Sequence, residues 1–500
     1  MIPASNIIPL FVVIPLAGAF LISFVGKKLK WIPDIFSFVV TLVLCVLSLL
    51  SIYLYNQYGV LTYSVGGWKP PIGIGMVLDG LTLFMLVIVN VVAFCISIYS
   101  ISYMMKYTSK WKFYTLLCLM IGGMNGVIVT GDLFNLFVFL EIAAVASYAL
   151  VAFGTERHEL EAAFKYAIMG TVGSSFILIG IAFLYSYTST LNMADMGSIL
   201  SQKGANNVTL MVSVLFLMGF GLKAALVPFH AWLPDAHPSA PAPISAMLSG
   251  VLIKSLGVYA LCRIFFNVIG LSSTVSSILL FLGALSMVVG GLLAIGQWDF
   301  KRLLAYSSIS QIGYIILGIG LGTPLGILGG LFHLLNHSIF KSLLFLNSGA
   351  VEYATGTRDL KQMGGLSQKM PITSTTNVVG SMSIAGIPPF SGFFSKLIII
   401  IATVQAGRYG YALCAVLVSI LTLAMYMKVL KYAFHGRLAE QWNSIKEVPL
   451  SMKLSMVALA IMCLVGGILL IPGINEVFLN QASHVLLQGV EYTSIVMKGV

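Results

Sequence analysis

Several ionisable residues of this sequence stand where their neighbours offer no water. Glu141 sits within LFNLFVFLEIAAVASYAL, and Lys223 and Lys254 lie near the two ends of FGLKAALVPFHAWLPDAHPSAPAPISAMLSGVLIKSLGVY. Lys396 follows the stretch MSIAGIPPFSGFFS. His333, His337 and Lys341 recur at four-residue intervals in GGLFHLLNHSIFKSLLFLNSGA, which lines them up on one face of a helix. These residue types suit proton transfer. Desolvation works against the charged form of a buried group, and a nearby opposite charge restores it, so moving a Glu–Lys pair together or apart changes where a proton is held. Histidine, with an ordinary pKa near 6.5, bridges the gap between carboxylate and amine. The histidine pair also has the i, i+4 spacing of a zinc site, but no Glu follows as in H-E-x-x-H and no third ligand is evident. A proton relay is the expectation, without a metal.

The elements that must hold these residues follow from composition. Of 500 residues 59% are hydrophobic and 9% charged, against about 45–50% and about 25% in soluble domains. So few charged side chains cannot cover a water-facing surface. The apolar residues fall in runs of about 17–25, each long enough to cross a ~30 Å hydrocarbon core as a helix. We place fourteen transmembrane helices near 7–25, 34–55, 77–99, 113–130, 133–153, 162–187, 208–228, 240–262, 274–296, 303–321, 326–350, 372–402, 409–433 and 453–472. The expected fold is an all-α polytopic membrane protein, with residues 1–500 forming a single membrane-embedded domain. The run at 7–25 has its lysines after it, so it reads as a retained helix and not as a signal peptide.

The basic residues give an orientation. Odd-numbered loops and their helix ends hold Lys27, Lys28, Lys30, Lys106, Lys110, Lys112, Arg157, Lys165, Lys301, Arg302, Arg358, Lys361, Lys369, Lys428, Lys431, Arg437, Lys446 and Lys453. Even-numbered loops hold Lys69, Lys203, Arg263 and Arg408, and Lys498 lies at the C-terminus. The positive-inside rule then sets the odd loops in the cytoplasm of a cell membrane and both termini outside it. The net charge of +11 therefore reads as a topology signal and not as a nucleic-acid surface. The basic residues left over, Lys223, Lys254, Lys341 and Lys396, fall inside spans, and Glu141 is the acid nearest a span centre. A charge at the bilayer centre costs about 2.5–3.5 kcal/mol on insertion scales, so such residues are expected to function.

Prolines mark where the helices break. Pro228, Pro234, Pro238, Pro241 and Pro243 cluster after Lys223, and Gly386, Pro388, Pro389 and Gly392 precede Lys396. Proline frees helix carbonyls, tolerated at membrane depth only beside protein or a hydrated cavity. His230 and His237 flank the first break and are candidates for a half-channel. Helices 7 and 12 are thus expected to be discontinuous. Two broken helices five spans apart, each beside a buried Lys, indicate two inverted five-helix repeats, about 113–262 and 274–433. The six cysteines stand singly in apolar stretches, and no nucleotide motif, redox site or hydrolytic site is evident, so no cofactor is expected.

The blocks TGDLFNLFVFLEI, KAALVPFHAWLPDAHPSAPAPISAMLSGVLIKSLGVYAL, DFKRLLAYSSISQIGYIILG, HLLNHSIFKSLLFL and GIPPFSGFFSK resemble the antiporter-like subunits of respiratory complex I and of Mrp-type Na⁺/H⁺ antiporters. The chain looks most like the Mrp D-type subunit, whose homologues include components of membrane-bound hydrogenases. The resemblance implies a fourteen-helix fold and a hydrophilic axis through Glu141, Lys223, Lys254, His333, His337, Lys341 and Lys396. It further implies proton translocation within a multisubunit membrane complex. That complex would be an Mrp-type exchanger of H⁺ and Na⁺ or a redox-driven machine whose redox centres lie in other subunits. A stand-alone solute carrier is disfavoured, because the sequence shows no evident substrate pocket.

Overall fold

The computed structural model describes residues 4–29, 31–204 and 206–498; Lys30 and the side chain of Lys498 lie outside the described residues. Helices cover every expected range. They are α1 (Ile7–Val25), α2 (Ile32–Tyr58), α3 (Gly80–Tyr103), α4 (Lys110–Val129), α5 (Leu133–Val151) and α6 (Arg157–Thr188). Next come α7 (Asn207–Lys223), the short α8 (Leu233–Ser239) and α9 (Ala242–Val268), which winds partly in wider π turns. They are followed by α10 (Ser273–Ile295), α11 (Phe300–Gly320), α12 (Pro324–Thr355), α13 (Pro371–Ala385) and α14 (Ser391–Gln405), then α15 (Tyr409–Phe434) and α16 (Leu450–Leu470). Among the described residues eleven helices are long and apolar enough to cross a membrane. With 32 residues α12 matches them in length but carries the His333–Lys341 series. The seventh and twelfth ranges are each interrupted, α7 stopping at Lys223 and α13 at Gly386.

Burial sorts these helices. In the most apolar stretch of α9 every residue is buried, and in that of α11 94% are, against 33% in α2 and in α16. The polar helices are therefore the innermost, and the outer ones expose Leu, Val and Phe side chains. Small residues let the backbones approach: a Cβ on Gly283 of α10 would lie 2.9 Å from the Gly313 carbonyl of α11.

Two features depart from the expectations. The chain carries one short hairpin, β1 (Leu61–Ser64) antiparallel to β2 (Gly75–Leu78), with Leu61 opposite Leu78. The hairpin delivers Asp79 to the start of α3, where its carboxylate accepts the Thr82 amide at 2.8 Å. Arg263, expected in an even-numbered loop, is instead inside α9 and only 3% exposed. Its guanidinium grips Asp79 with both arms, at 2.8 and 3.0 Å, and also bonds Asn267 and Tyr259. Hydropathy ends the apolar run at Cys262, but the helix continues to Val268 because Arg263 finds its counter-ion across the fold.

That pair generates a stability prediction. Asp79→Ala should leave a buried guanidinium uncompensated and cost about 3–5 kcal/mol. Thermal melting of purified protein in detergent would detect this, and an unchanged melting temperature would contradict it.

Candidate functional site

The first break is built by local chemistry. After Lys223 the chain turns at Ala225, which has a left-handed φ of 57°. The Trp232 indole N–H donates to the freed Leu222 carbonyl at 3.1 Å and its ring stacks on Tyr166 at 4.1 Å. The Val227 amide donates to Ser286 Oγ on α10 at 3.0 Å. With the backbone so satisfied, the Lys223 side chain is free to leave the helix end. Its Nζ lies 3.6 Å from Glu141 Oε1 and 3.4 Å from Tyr148 Oη, both on α5. The Lys223 side chain is 5% exposed and that of Glu141 31%. Ser174 of α6 donates to the same carboxylate.

The α9 helix passes directly under this break. A Cβ on Gly257 would touch Ala224, the residue after Lys223, and Lys254 lies three residues before Gly257. Lys254 has no carboxylate within ion-pair distance among the described residues; its Nζ donates to the carbonyls of Ser249 and Gly250 in its own helix. Wider π turns leave such carbonyls accessible. Ser342 of α12 donates to the Ala246 carbonyl, which joins α9 to the helix carrying Lys341. Lys341 Nζ donates to the Leu304 carbonyl at 2.7 Å and to Tyr426 Oη at 3.2 Å.

The predicted histidine face is real and fully buried. His333 Nδ1 meets Ser395 Oγ at 2.9 Å and Nε2 meets Gln311 Oε1 at 3.2 Å. The His337 ring lies 6.4 Å from that of His333, nearly parallel, and its two nitrogens have no hydrogen-bond partner among the described residues. Lys341 follows His337 one turn along the same face of α12. The second break mirrors the first in purpose. Gly386 has φ +81°, a left-handed conformation open to glycine, and ends α13. The freed carbonyls of Ile384 and Ala385 are taken by Lys396 Nζ at 2.8 and 3.4 Å, and Ser419 Oγ also donates to Ala385. Lys396 further sits 4.9 Å from the Tyr314 ring centre.

Glu141, Lys223, Lys254, Lys341, His337, His333 and Lys396 thus follow one another along α5, α7, α9, α12 and α14. His237, on α8, is buried against Phe345 at 4.6 Å, and Lys341 Nζ lies 5.8 Å from the centre of the same Phe345 ring. His230 is half-buried in the turn, and its Nδ1 has no hydrogen-bond partner among the described residues. Sequence reasoning missed Tyr148, Ser174, Gln311, Ser395 and Tyr426. The polar run Tyr306-Ser307-Ser308-Ile309-Ser310-Gln311 within an apolar span was the signal for Gln311. Glu159, whose charged neighbours suggest a solvated helix start, is 8% exposed and closes a capping box with Glu156 at the start of α6.

Comparison with known proteins places this arrangement. Residues 130–422 match the family described as NADH:quinone oxidoreductase/Mrp antiporter, transmembrane. The chain belongs to that family. Residues 67–114 also match the N-terminus of chain 5 of NADH-ubiquinone oxidoreductase (complex I). The D-type subunit of the Na⁺/H⁺ antiporter of Alkalihalophilus pseudofirmus is 37% identical over 86% of this chain and 87% of its own length. The N-type subunit of the NADH-quinone oxidoreductase of Desulforudis audaxviator is 39% identical over 74% of this chain and 75% of its own. A component of the Mrp complex from Dietzia sp. superposes with a TM-score of 0.90 over 99% of both chains, at 27% identity. Membership of the NADH:quinone oxidoreductase/Mrp antiporter family makes this a multi-pass membrane protein.

The hydrogen bonds of the two histidines set up a comparison. His333→Ala strands Gln311 Oε1 as well as opening a hole, while Ser395 keeps its bond to the Gly392 carbonyl; His337→Ala strands no described hydrogen-bond partner. The first should cost about 1–3 kcal/mol more than the second, the penalty for leaving a buried polar group unpaired. Melting both variants in detergent tests the order, and equal losses would contradict it.

Proposed function

We propose that this chain is the ion-translocating, antiporter-like subunit of a multisubunit membrane complex. It moves protons along Glu141, Lys223, Lys254, Lys341, His337, His333 and Lys396 and takes part in exchange of H⁺ for Na⁺. The observation that supports this reading is the row of ionisable side chains inside the helical body, buried from Lys223 to Lys396 and partly exposed at Glu141, in a chain whose relatives include the D-type subunit of a Na⁺/H⁺ antiporter. Drawing Glu141 away from Lys223 strands an ammonium in an apolar site. Passing its proton to the next base removes that cost, and bringing the carboxylate back restores the charge. One charge crossing ~100 mV changes energy by about 2.3 kcal/mol, so modest movement of such a pair is enough to couple to a membrane potential.

The topology completes the proposal. Counting each broken helix as one span gives fourteen crossings, with inverted repeats at about 113–262 and 274–433. The basic loops then face the cytoplasm and both termini lie outside it. The chain meets other membrane subunits and the lipid of a cell membrane. A second reading rests on the likeness to the N-type subunit of NADH-quinone oxidoreductase: the same kind of protein in a redox-driven complex. Proteins that co-purify with this chain decide between the two. Hydrogenase-like or quinone-site proteins would exclude the simple exchanger.

Replacing Glu141 or Lys223 with Ala should abolish proton flux into everted vesicles while the complex still assembles, and wild-type flux at normal protein levels would show the pair to be structural. Lys396 offers a sharper test. Arg keeps the charge but stays protonated at any accessible pH, so Lys396→Arg should block transport. Lys396→Glu should keep part of it, because a buried Glu also cycles a proton. Normal transport by Lys396→Arg would make Lys396 a fixed charge.

A further inference from the structure

A polar cavity of about 550 Å³ opens at the end of the helical body that carries the basic loops, lined in part by Glu156, Glu159, Asp299, Lys301, Glu352 and Arg358. Pro238, Ser239 and Ala240, the residues directly after His237, form part of its wall. Within it Lys301 Nζ and Glu352 Oε2 form an ion pair of 2.8 Å, and the two partners differ sharply in exposure. The Lys301 side chain is 2% exposed and that of Glu352 21%. Lys301 also donates to the Ala240 carbonyl at 3.2 Å. Arg358 holds the outer side: its Nε lies 3.8 Å from Glu352 and 3.3 Å from Asp299, and its Nη1 donates to the Pro238 carbonyl.

The pair therefore straddles a boundary, its carboxylate toward the cavity and its ammonium toward the interior. On the inner side lies His237, fully buried, with both ring nitrogens lacking a hydrogen-bond partner among the described residues. Lys301 bonds the carbonyl of Ala240, three residues past His237, and the His237 ring stacks on Phe345, whose ring centre is 5.8 Å from Lys341 Nζ. A buried imidazole with two unpaired nitrogens, lying beside the segment that walls the cavity and sharing Phe345 with Lys341, is placed to receive a proton. Neither Lys301 nor Glu352 belongs to the row from Glu141 to Lys396.

We propose that the Lys301–Glu352 pair is a gate through which protons pass from this cavity to His237 and so to Lys341 and Lys254. The proposal rests on the reading of the chain as an ion-translocating subunit. Glu352 takes a proton from hydronium in the cavity, forming an O–H bond and releasing water. Its neutral carboxyl no longer holds Lys301, whose side chain swings inward to reach His237; the ammonium then breaks one N–H bond and gives that proton to a ring nitrogen. The neutral amine recovers a proton from the Glu352 carboxyl, and the carboxylate reforms the pair. One proton has moved from cavity water to His237, and Lys301 and Glu352 return to their starting charges.

An anchoring pair needs only its two charges, whereas a gate needs a cation that gives up its proton and a carboxylate that accepts one. Lys301→Arg, isosteric Glu352→Gln and Glu352→Asp should be made in the whole complex. Proton flux is measured in everted vesicles by quenching of a pH-sensitive dye, and co-purifying proteins report assembly. Lys301→Arg and Glu352→Gln should each lose about tenfold or more of the flux, the scale of a lost acid–base group, while Glu352→Asp keeps most of it. Flux within about twofold of wild type in either Lys301→Arg or Glu352→Gln would overturn the gate, and so would equal loss in Glu352→Asp and Glu352→Gln. If Lys301→Arg fails to assemble, Glu352→Gln alone decides on the same thresholds. Lys396→Arg run in parallel separates the two claims. Its loss beside a normal Lys301→Arg removes the gate only, and normal flux in Lys396→Arg and Glu141→Ala removes the translocation reading itself.

Discussion

An ammonium held away from water must be surrounded by oxygen atoms, and the structure is organised around supplying them. Lys223 has a carboxylate and a tyrosine hydroxyl. Lys341 has a carbonyl and a tyrosine hydroxyl. Lys254 and Lys396 have backbone carbonyls, and Lys396 adds the Ser419 hydroxyl at 3.3 Å. Carbonyl dipoles solvate a charge without fixing it as a full counter-ion does. Such sites hold a proton and can also lose it, whereas the doubly gripped Arg263–Asp79 pair is suited to staying charged.

Most of those carbonyls lie where a helix is interrupted or winds in wider turns; the Leu304 carbonyl that Lys341 takes is the exception, lying inside the regular α11. A regular helix commits each carbonyl to its own amides and leaves only a second lone pair for a lysine. The break at Gly386 frees Ile384 and Ala385, and the Ser249 and Gly250 carbonyls lie in a wider π turn of α9. At the first break Trp232 takes the freed Leu222 carbonyl, leaving Lys223 to pair with Glu141. Irregular backbone and buried cation stabilise each other in the second break. That is why proline, glycine and lysine occur together there.

Much of this was legible in the sequence. The cost of a charge in hydrocarbon makes Glu141, Lys223, Lys254, Lys341 and Lys396 conspicuous in apolar runs, and a period of four puts His333, His337 and Lys341 on one face. Breakers mark both interruptions, because the missing amide of proline and the missing Cβ of glycine act locally. What escaped was the set of partners. Ser395 and Gln311 reach His333 from helices 62 and 22 residues away. Serine and glutamine are unremarkable in a sequence, since a helix tolerates a hydroxyl or an amide almost anywhere.

Arg263 and Lys301 show the limit most plainly. Each lies near the end of an apolar run, where local hydropathy cannot distinguish a loop cation from a buried one. Their burial depends on Asp79 and Glu352, which are remote from them in the chain. By itself the sequence determined the apolar helices, the breaks and the burial of Lys223, Lys254, Lys341 and Lys396, because each follows from the transfer cost or backbone chemistry of a short stretch. Only the tertiary structure decided which charges are paired, which rest on carbonyls and which face a polar cavity. Those outcomes turn on distances of a few ångströms between helices far apart in sequence.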